Sequence, residues 1–192
     1  MFRLGTDLYV LRDSAVIRER TPELSHGGPI TVLLVDDFVY VGETLTRAFA
    51  AAAAGAEAGG TNPERIELVG QLLRPDDLPA IVRQRRPDVV LMDFLIPGCD
   101  TIQAVTSLLR ACPTVAVVMY TGVINSTERR LMLESGAIAC VGKYQPTEDL
   151  FAAIREAAAW SRIARETLGD SPGGAWGAVP PDNPPAMPPP PA

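Results

Sequence analysis

Two rhythms of hydrophobic and polar positions alternate along this chain, and their alternation predicts its fold. Ile30-Thr31-Val32-Leu33-Leu34-Val35 is a run of β-branched and aliphatic residues that stops abruptly at Asp36 and Asp37. A run apolar on both faces reads as a strand buried centrally in a parallel sheet. Val41, Leu45, Ala48, Phe49 and Ala52 then fall at helical spacing, which predicts a helix from Val41 through Ala54, ended by the glycines of residues 55–60 and the Asn62-Pro63 turn. Ile66 to Leu73 reads as a second strand, and Asp76-Asp77-Leu78-Pro79 opens a short helix to Arg86, with proline tolerated in its first turn.

The pattern repeats to the end of the periodic region. Val89 to Met92 is a third buried strand ending at Asp93, and Pro97-Gly98 is a turn. Asp100 caps a helix bearing Ile102, Val105, Leu108 and Leu109. Val115 to Tyr120 is a fourth strand, followed by Thr121-Gly122. Asn125 with Glu128 three residues on gives a capped start to a helix through Leu131, Met132 and Leu133, which Gly136 stops. Ile138 to Val141 is a short fifth strand ending near Lys143, and Thr147-Glu148-Asp149 opens a last helix to about Thr167. Five strands alternating with helices predict an α/β, doubly wound, five-stranded parallel sheet with helices on both faces, joined by right-handed crossovers.

Residues 30–168 form this domain. Residues 1–29 carry scattered apolar positions with no single period, so they read as an N-terminal extension that is partly ordered at most. Within it Leu8 to Leu11 could form a short strand, and Val10 to Arg20 a helical turn or two. Past Gly169 the composition shifts: nine of the 18 prolines lie between Ser171 and Ala192, so residues 169–192 are expected to be a proline-rich, disordered or polyproline-like tail.

Composition narrows the function classes. With 47% hydrophobic and 21% charged residues the chain is globular, and its net charge of −6 offers no basic cluster for direct nucleic-acid binding. The densest basic stretch, Arg83-Gln84-Arg85-Arg86, reads as the solvated end of a helix. Cys99, Cys112 and Cys140 lack CxxC spacing, which suits reduced cytosolic thiols. The start has no basic segment followed by an apolar one, and the longest apolar run, Ala48 to Ala54, falls far short of the roughly 20 residues of a membrane span. A cytoplasmic location is expected.

Polar residues converge on one address. Asp36 and Asp37 follow strand one, Asp93 strand three, Thr121 strand four and Lys143 strand five. With strand order 2-1-3-4-5, strands one and three meet at the topological switch point, where open α/β sheets bind ligands. Singly, each residue has a plain reading as a cap, a loop hydroxyl or a surface amine. Together they fit phosphoryl transfer to a carboxylate. Carboxylates hold Mg²⁺, Lys143 supplies charge, Thr121 a hydroxyl, and Gly122 room for approach.

Val32-Leu33-Leu34-Val35-Asp36-Asp37, the stretch from Pro87 through Asp93 to Gly98, Met119-Tyr120-Thr121-Gly122, and the stretch from Gly136 through Cys140 to Lys143 together resemble the receiver domain of bacterial response regulators, over roughly residues 30–165 and at family spacing. The resemblance implies a flavodoxin-like fold, phosphorylation on Asp93 by a histidine kinase, a phosphotransfer protein or a small phosphodonor, and Mg²⁺ held by Asp36, Asp37 and Asp93. Thr121 then looks like the switch hydroxyl and Lys143 like the family lysine. It implies a protein that catalyses only its own phosphorylation and dephosphorylation, signals to a downstream protein, and can pair into a homodimer through its last helix.

The chain also departs from the family pattern. Cys140 stands where the family carries an aromatic residue three before the lysine, Tyr144 where proline often follows it, and Thr101 where glycine is common. Tyr144 or Tyr120 are the aromatics available to replace the missing one. The positions two after Asp93 and Thr121 are Leu95 and Val123, both apolar, which predicts poor positioning of an attacking water and slow loss of the phosphoryl group.

The expected protein is a stand-alone receiver. Its alternatives are a pseudo-receiver serving as a constitutive interaction module, or a diverged transcriptional regulator lacking a helix-turn-helix. A haloacid-dehalogenase-type phosphatase would need a DxD directly after the first strand, which Asp36-Asp37-Phe38 does not supply. Flavin binding would need hydroxyl and glycine donors that the same loop lacks.

Overall fold

The short runs rich in β-branched and aliphatic residues form the sheet, and the structure shows how they stack. A computed structural model describes residues 28–58, 65–122 and 125–168, with the backbone of residues 2–4 and 8–10. Its strands are β1 (Phe2–Leu4), β2 (Leu8–Val10), β3 (Ile30–Val35), β4 (Ile66–Leu72), β5 (Val89–Met92), β6 (Ala116–Thr121) and β7 (Ala139–Gly142). The helices are α1 (Val39–Ala58), α2 (Leu78–Arg85), α3 (Thr101–Ala111), α4 (Ser126–Glu134) and α5 (Thr147–Leu168).

The five strands from β3 onward are parallel and lie in the order β4-β3-β5-β6-β7, the expected 2-1-3-4-5 arrangement of a flavodoxin-like fold. The β1–β2 hairpin adds to the sheet at β7, antiparallel, through Tyr9 opposite Cys140 and Val10 opposite Ala139. The expected strand near Leu8 is thus present. Its partner Phe2–Leu4 had no periodic signal, because three residues are too few to show one. Of the helical turns expected over Val10 to Arg20, Val10 belongs to β2 and residues 11–20 lie outside the described residues, as do the proline-rich segment 169–192 and Val123.

Alternating side chains send the strands' apolar residues to two cores. Leu45 and Phe49 of α1 and Leu150, Phe151, Ile154 and Ala157 of α5 cover one face of the sheet, with the Phe49 and Phe151 rings 5.5 Å apart. Leu78 and Val82 of α2, Val105 and Leu108 of α3, and Met132 of α4 cover the other. Each such fully buried aliphatic side chain contributes roughly 1.5–3 kcal/mol.

Helix ends follow the sequence in most places. Asp100 accepts from Gln103 N at 2.9 Å, Asn125 and Glu128 form a reciprocal capping box, and Gly136 takes φ of 103° after α4. Two ends differ. Helix α1 begins earlier than expected and runs through Gly55 to Ala58, since one glycine costs about 1 kcal/mol and the flanking alanines favour helix. Asp77 precedes α2 with φ of 56° and makes no side-chain cap.

Candidate functional site

Parallel pairing brings the carboxyl ends of four strands level. Val35 lies opposite Met92, Met92 opposite Met119, and Thr121 opposite Gly142, so the residues that follow share one edge. The ladder continues into them: Asp93 N donates to Val35 O and Lys143 N to Thr121 O, both at 2.9 Å. All five residues singled out in the sequence meet at this edge.

Lys143 is the hub. Its Nζ lies 2.6 Å from Asp36 Oδ2 and 2.7 Å from Asp93 Oδ2. Both carboxylates are buried, while Lys143 keeps a small window to solvent. Burial works against charging the Lys143 amine, yet the two carboxylates outweigh it and raise its pKa above the ordinary value. Burial pushes the Asp36 carboxyl up, and Lys143 and the Phe38 N–H pull it back only in part. The Lys143 ammonium also lies 6.0 Å from the centre of the Tyr120 ring.

Asp36, Asp37 and Asp93 each offer a carboxylate oxygen, all within 4.8 Å of one another. An all-oxygen set of this kind suits a hard divalent cation such as Mg²⁺, which keeps several waters and needs few protein ligands. Asp37 Oδ1 and Thr121 Oγ1 are buried and make no hydrogen bond to any of the described residues. An orphaned oxygen on a carboxylate grouped with two others calls for positive charge, and an orphaned hydroxyl at the same sheet edge can donate to an oxyanion.

Loops hold these groups from outside. Phe38 N donates to Asp36 Oδ1, and Leu95 N to Asp93 Oδ1 at 3.3 Å. Thr101, a departure from the family's glycine, is buried and donates its hydroxyl to Phe94 O at 2.8 Å, fastening the loop after β5. Arg74 reaches from the β4–α2 loop to Pro97 O at 2.9 Å. Gln71 donates to the carbonyls of Asp36 and Phe38. Sequence alone did not flag Arg74 or Gln71; the one available signal was a carboxamide near the end of a largely apolar strand.

The departures take definite places. Cys140 is fully buried with its Sγ 3.2 Å from Met132 Sδ, so it is part of the core. Tyr144 is 91% exposed, and a methyl group at Gly122 would touch its ring edge at 3.7 Å. Leu95 is 54% exposed at the rim. No helix among the described residues is long and apolar enough to cross a membrane.

Comparisons with known proteins agree with this fold. The chain is 32% identical over 133 residues to the response regulator GacA of Pseudomonas aeruginosa, covering 69% of this chain and 57% of that one. It is 31% identical over 93 residues to the response regulator protein VraR of Staphylococcus epidermidis, covering 48% and 44%. The chain thus spans about half the length of the curated relatives it matches. Among solved structures, a LuxR-family two-component response regulator from Aurantimonas sp. superposes with a TM-score of 0.58 at 20% identity, over 74% of this chain and 97% of that one. CheY in the CheX–CheY–BeF3–Mg²⁺ complex from Borrelia burgdorferi superposes at 0.56 and 18%, over 68% and 90%. The response regulator receiver domain model matches residues 32–155, and the chain belongs to that family.

Proposed function

We propose that this protein is a phosphorylation-dependent receiver that takes a phosphoryl group onto Asp93 with Mg²⁺ held by Asp36, Asp37 and Asp93. The observation that carries the reading is the placement of Lys143 Nζ between Asp36 and Asp93, at the sheet edge that also carries Thr121, whose hydroxyl has no hydrogen-bond partner among the described residues. Receiver domains generally bind Mg²⁺ at an acidic pocket, and the three carboxylates supply the oxygen donors for it.

An Asp93 carboxylate oxygen attacks phosphorus and forms a P–O bond as the donor's bond to phosphorus breaks. The leaving group, an imidazole of a histidine kinase or phosphotransfer protein, departs with the electron pair and takes a proton from solvent. Bound Mg²⁺ would neutralise charge on the phosphoryl oxygens. Lys143 would exchange its contact with Asp93 for a phosphoryl oxygen, and Thr121 would donate to another. The product signals through protein contacts in the cytoplasm, and the only chemistry the chain catalyses is its own phosphorylation and dephosphorylation.

One observation favours a second reading. Cys140, locked against Met132, cannot swing as an aromatic would, which favours a module that keeps its pocket without switching. Incubation with Mg²⁺ and acetyl phosphate, read by intact mass, separates the two. Gain of one phosphoryl group, abolished in Asp93→Asn, is expected. No gain with Mg²⁺ bound would leave the constitutive module.

A further inference from the structure

We propose that Gln71 is a positioning residue for the acidic loop and thereby sets the affinity of the site for Mg²⁺. The inference rests on reading Asp36, Asp37 and Asp93 as the metal site. Gln71 Nε2 donates to Asp36 O and to Phe38 O, both at 3.0 Å, so one carboxamide brackets the segment that carries Asp36 and Asp37. Both partners are carbonyl acceptors, so the nitrogen rather than the oxygen must face them.

The backbone is shaped to allow this. Val32 pairs with Leu68 but Leu33 with Gly70, so Val69 is an extra residue in β4. A one-residue slip moves every following side chain to the other face of a sheet. Without it Gln71 would point toward α2; with it Gln71 lies beside Leu34, under α1. Arg85 of α2 donates to the carbonyl of that extra residue at 2.6 Å and holds the bulge in place. Above Gln71 sits Gly42 of α1, where a Cβ would come within 2.2 Å of Gln71 Oε1. Bulge, helix glycine and carboxamide form one arrangement, and its target is the loop.

The loop has one internal brace, Phe38 N to Asp36 Oδ1, which uses a carboxylate oxygen. Gln71 braces the same segment through the Asp36 and Phe38 carbonyls and itself occupies no carboxylate oxygen of the site. Two donors on one atom are what the two carbonyls require, and neither Glu nor Met supplies them.

The test measures Mg²⁺ affinity of the full chain by calorimetry, beside the melting temperature in EDTA. Gln71→Met is expected to weaken Mg²⁺ binding about tenfold, the low end of losses seen when a group orienting metal ligands is removed. Gly42→Ala displaces the carboxamide while favouring helix α1, so weaker Mg²⁺ binding without a lower melting temperature is expected. A residue that merely fills space would lower the melting temperature and leave affinity alone. Affinity within twofold of wild type in Gln71→Met overturns the proposal; if that variant does not fold, the same result in Gly42→Ala does. Wild type that takes up no Mg²⁺ overturns the metal-site reading itself, which is a different result from unchanged variants.

Discussion

Thr31 and Asp88 exchange hydrogen bonds across the end of the sheet opposite the acidic pocket. Thr31 N and Oγ1 donate to Asp88 Oδ2 at 2.9 and 3.0 Å, and Asp88 N donates to Thr31 O at 2.9 Å. Arg165 of α5 donates to Asp88 Oδ1 at 2.9 Å, and Arg162 approaches Oδ2 at 3.6 Å. One buried carboxylate therefore joins β3, β5 and the last helix.

Removing that carboxylate takes the anionic partner from Arg165 and Arg162 and the acceptor from the Thr31 N–H and hydroxyl. Asp88→Ala is expected to lower stability by about 3–5 kcal/mol, the range for breaking one partner of a buried pair. Urea denaturation checks the loss. Mg²⁺ affinity should stay near wild type in the variant, because Asp88 lies at the other end of the strands.

Lys143 holds two carboxylates that would otherwise face each other. Lys143→Met should slow phosphorylation by acetyl phosphate by about a hundredfold or more, the scale for losing one preorganised charge donor. The same variant should bind Mg²⁺ more tightly, by about tenfold, since a competing cation is gone. Its melting temperature should depend more steeply on Mg²⁺ than that of wild type. Mass spectrometry and calorimetry check the two arms, and a variant that loses Mg²⁺ binding would contradict the electrostatic account.

The parallel core was legible because its runs are long and bounded: Asp36, Asp93 and Lys143 each end an apolar stretch, and Asn125 and Asp100 carry their caps in plain sequence. The meeting of Lys143 with Asp36 and Asp93 followed from topology once the strand order was set. What sequence could not reveal depended on phase or reach. Gln71 faces the loop only because Val69 is extra, and a bulge has no periodic signature. Arg165 meets Asp88 across 77 positions of sequence, and Phe2–Leu4 is too short to show a rhythm.

Cys140 makes one limb of the pH dependence predictable. Burial pushes its thiol from 9.0 up to about 11. Between these values the unfolded chain has released the proton and the folded one has kept it, so stability falls as pH rises through that window. The loss attributable to this thiol should reach roughly 2–3 kcal/mol by pH 11, at 1.36 kcal/mol per unit. Comparing wild type with Cys140→Ala by chemical denaturation at pH 8 and pH 11 isolates it: the variant should lose less stability over that interval. A thiol-specific reagent should leave Cys140 unmodified at pH 8 in the folded protein.

Leu95 bears on how long a phosphorylated form would last. It stands two residues past Asp93, is half exposed, and its own N–H donates to Asp93 Oδ1, so its backbone lies against the acceptor carboxylate. An apolar side chain there offers an attacking water no hydrogen bond, whereas a carboxamide can hold and orient one. Leu95→Gln is therefore expected to shorten the lifetime of the phosphorylated protein several-fold while leaving Mg²⁺ affinity unchanged. The decay is followed by intact mass after the phosphodonor is removed with Mg²⁺ retained. Equal lifetimes in variant and wild type would mean that water reaches the phosphoryl group by a path this side chain does not govern.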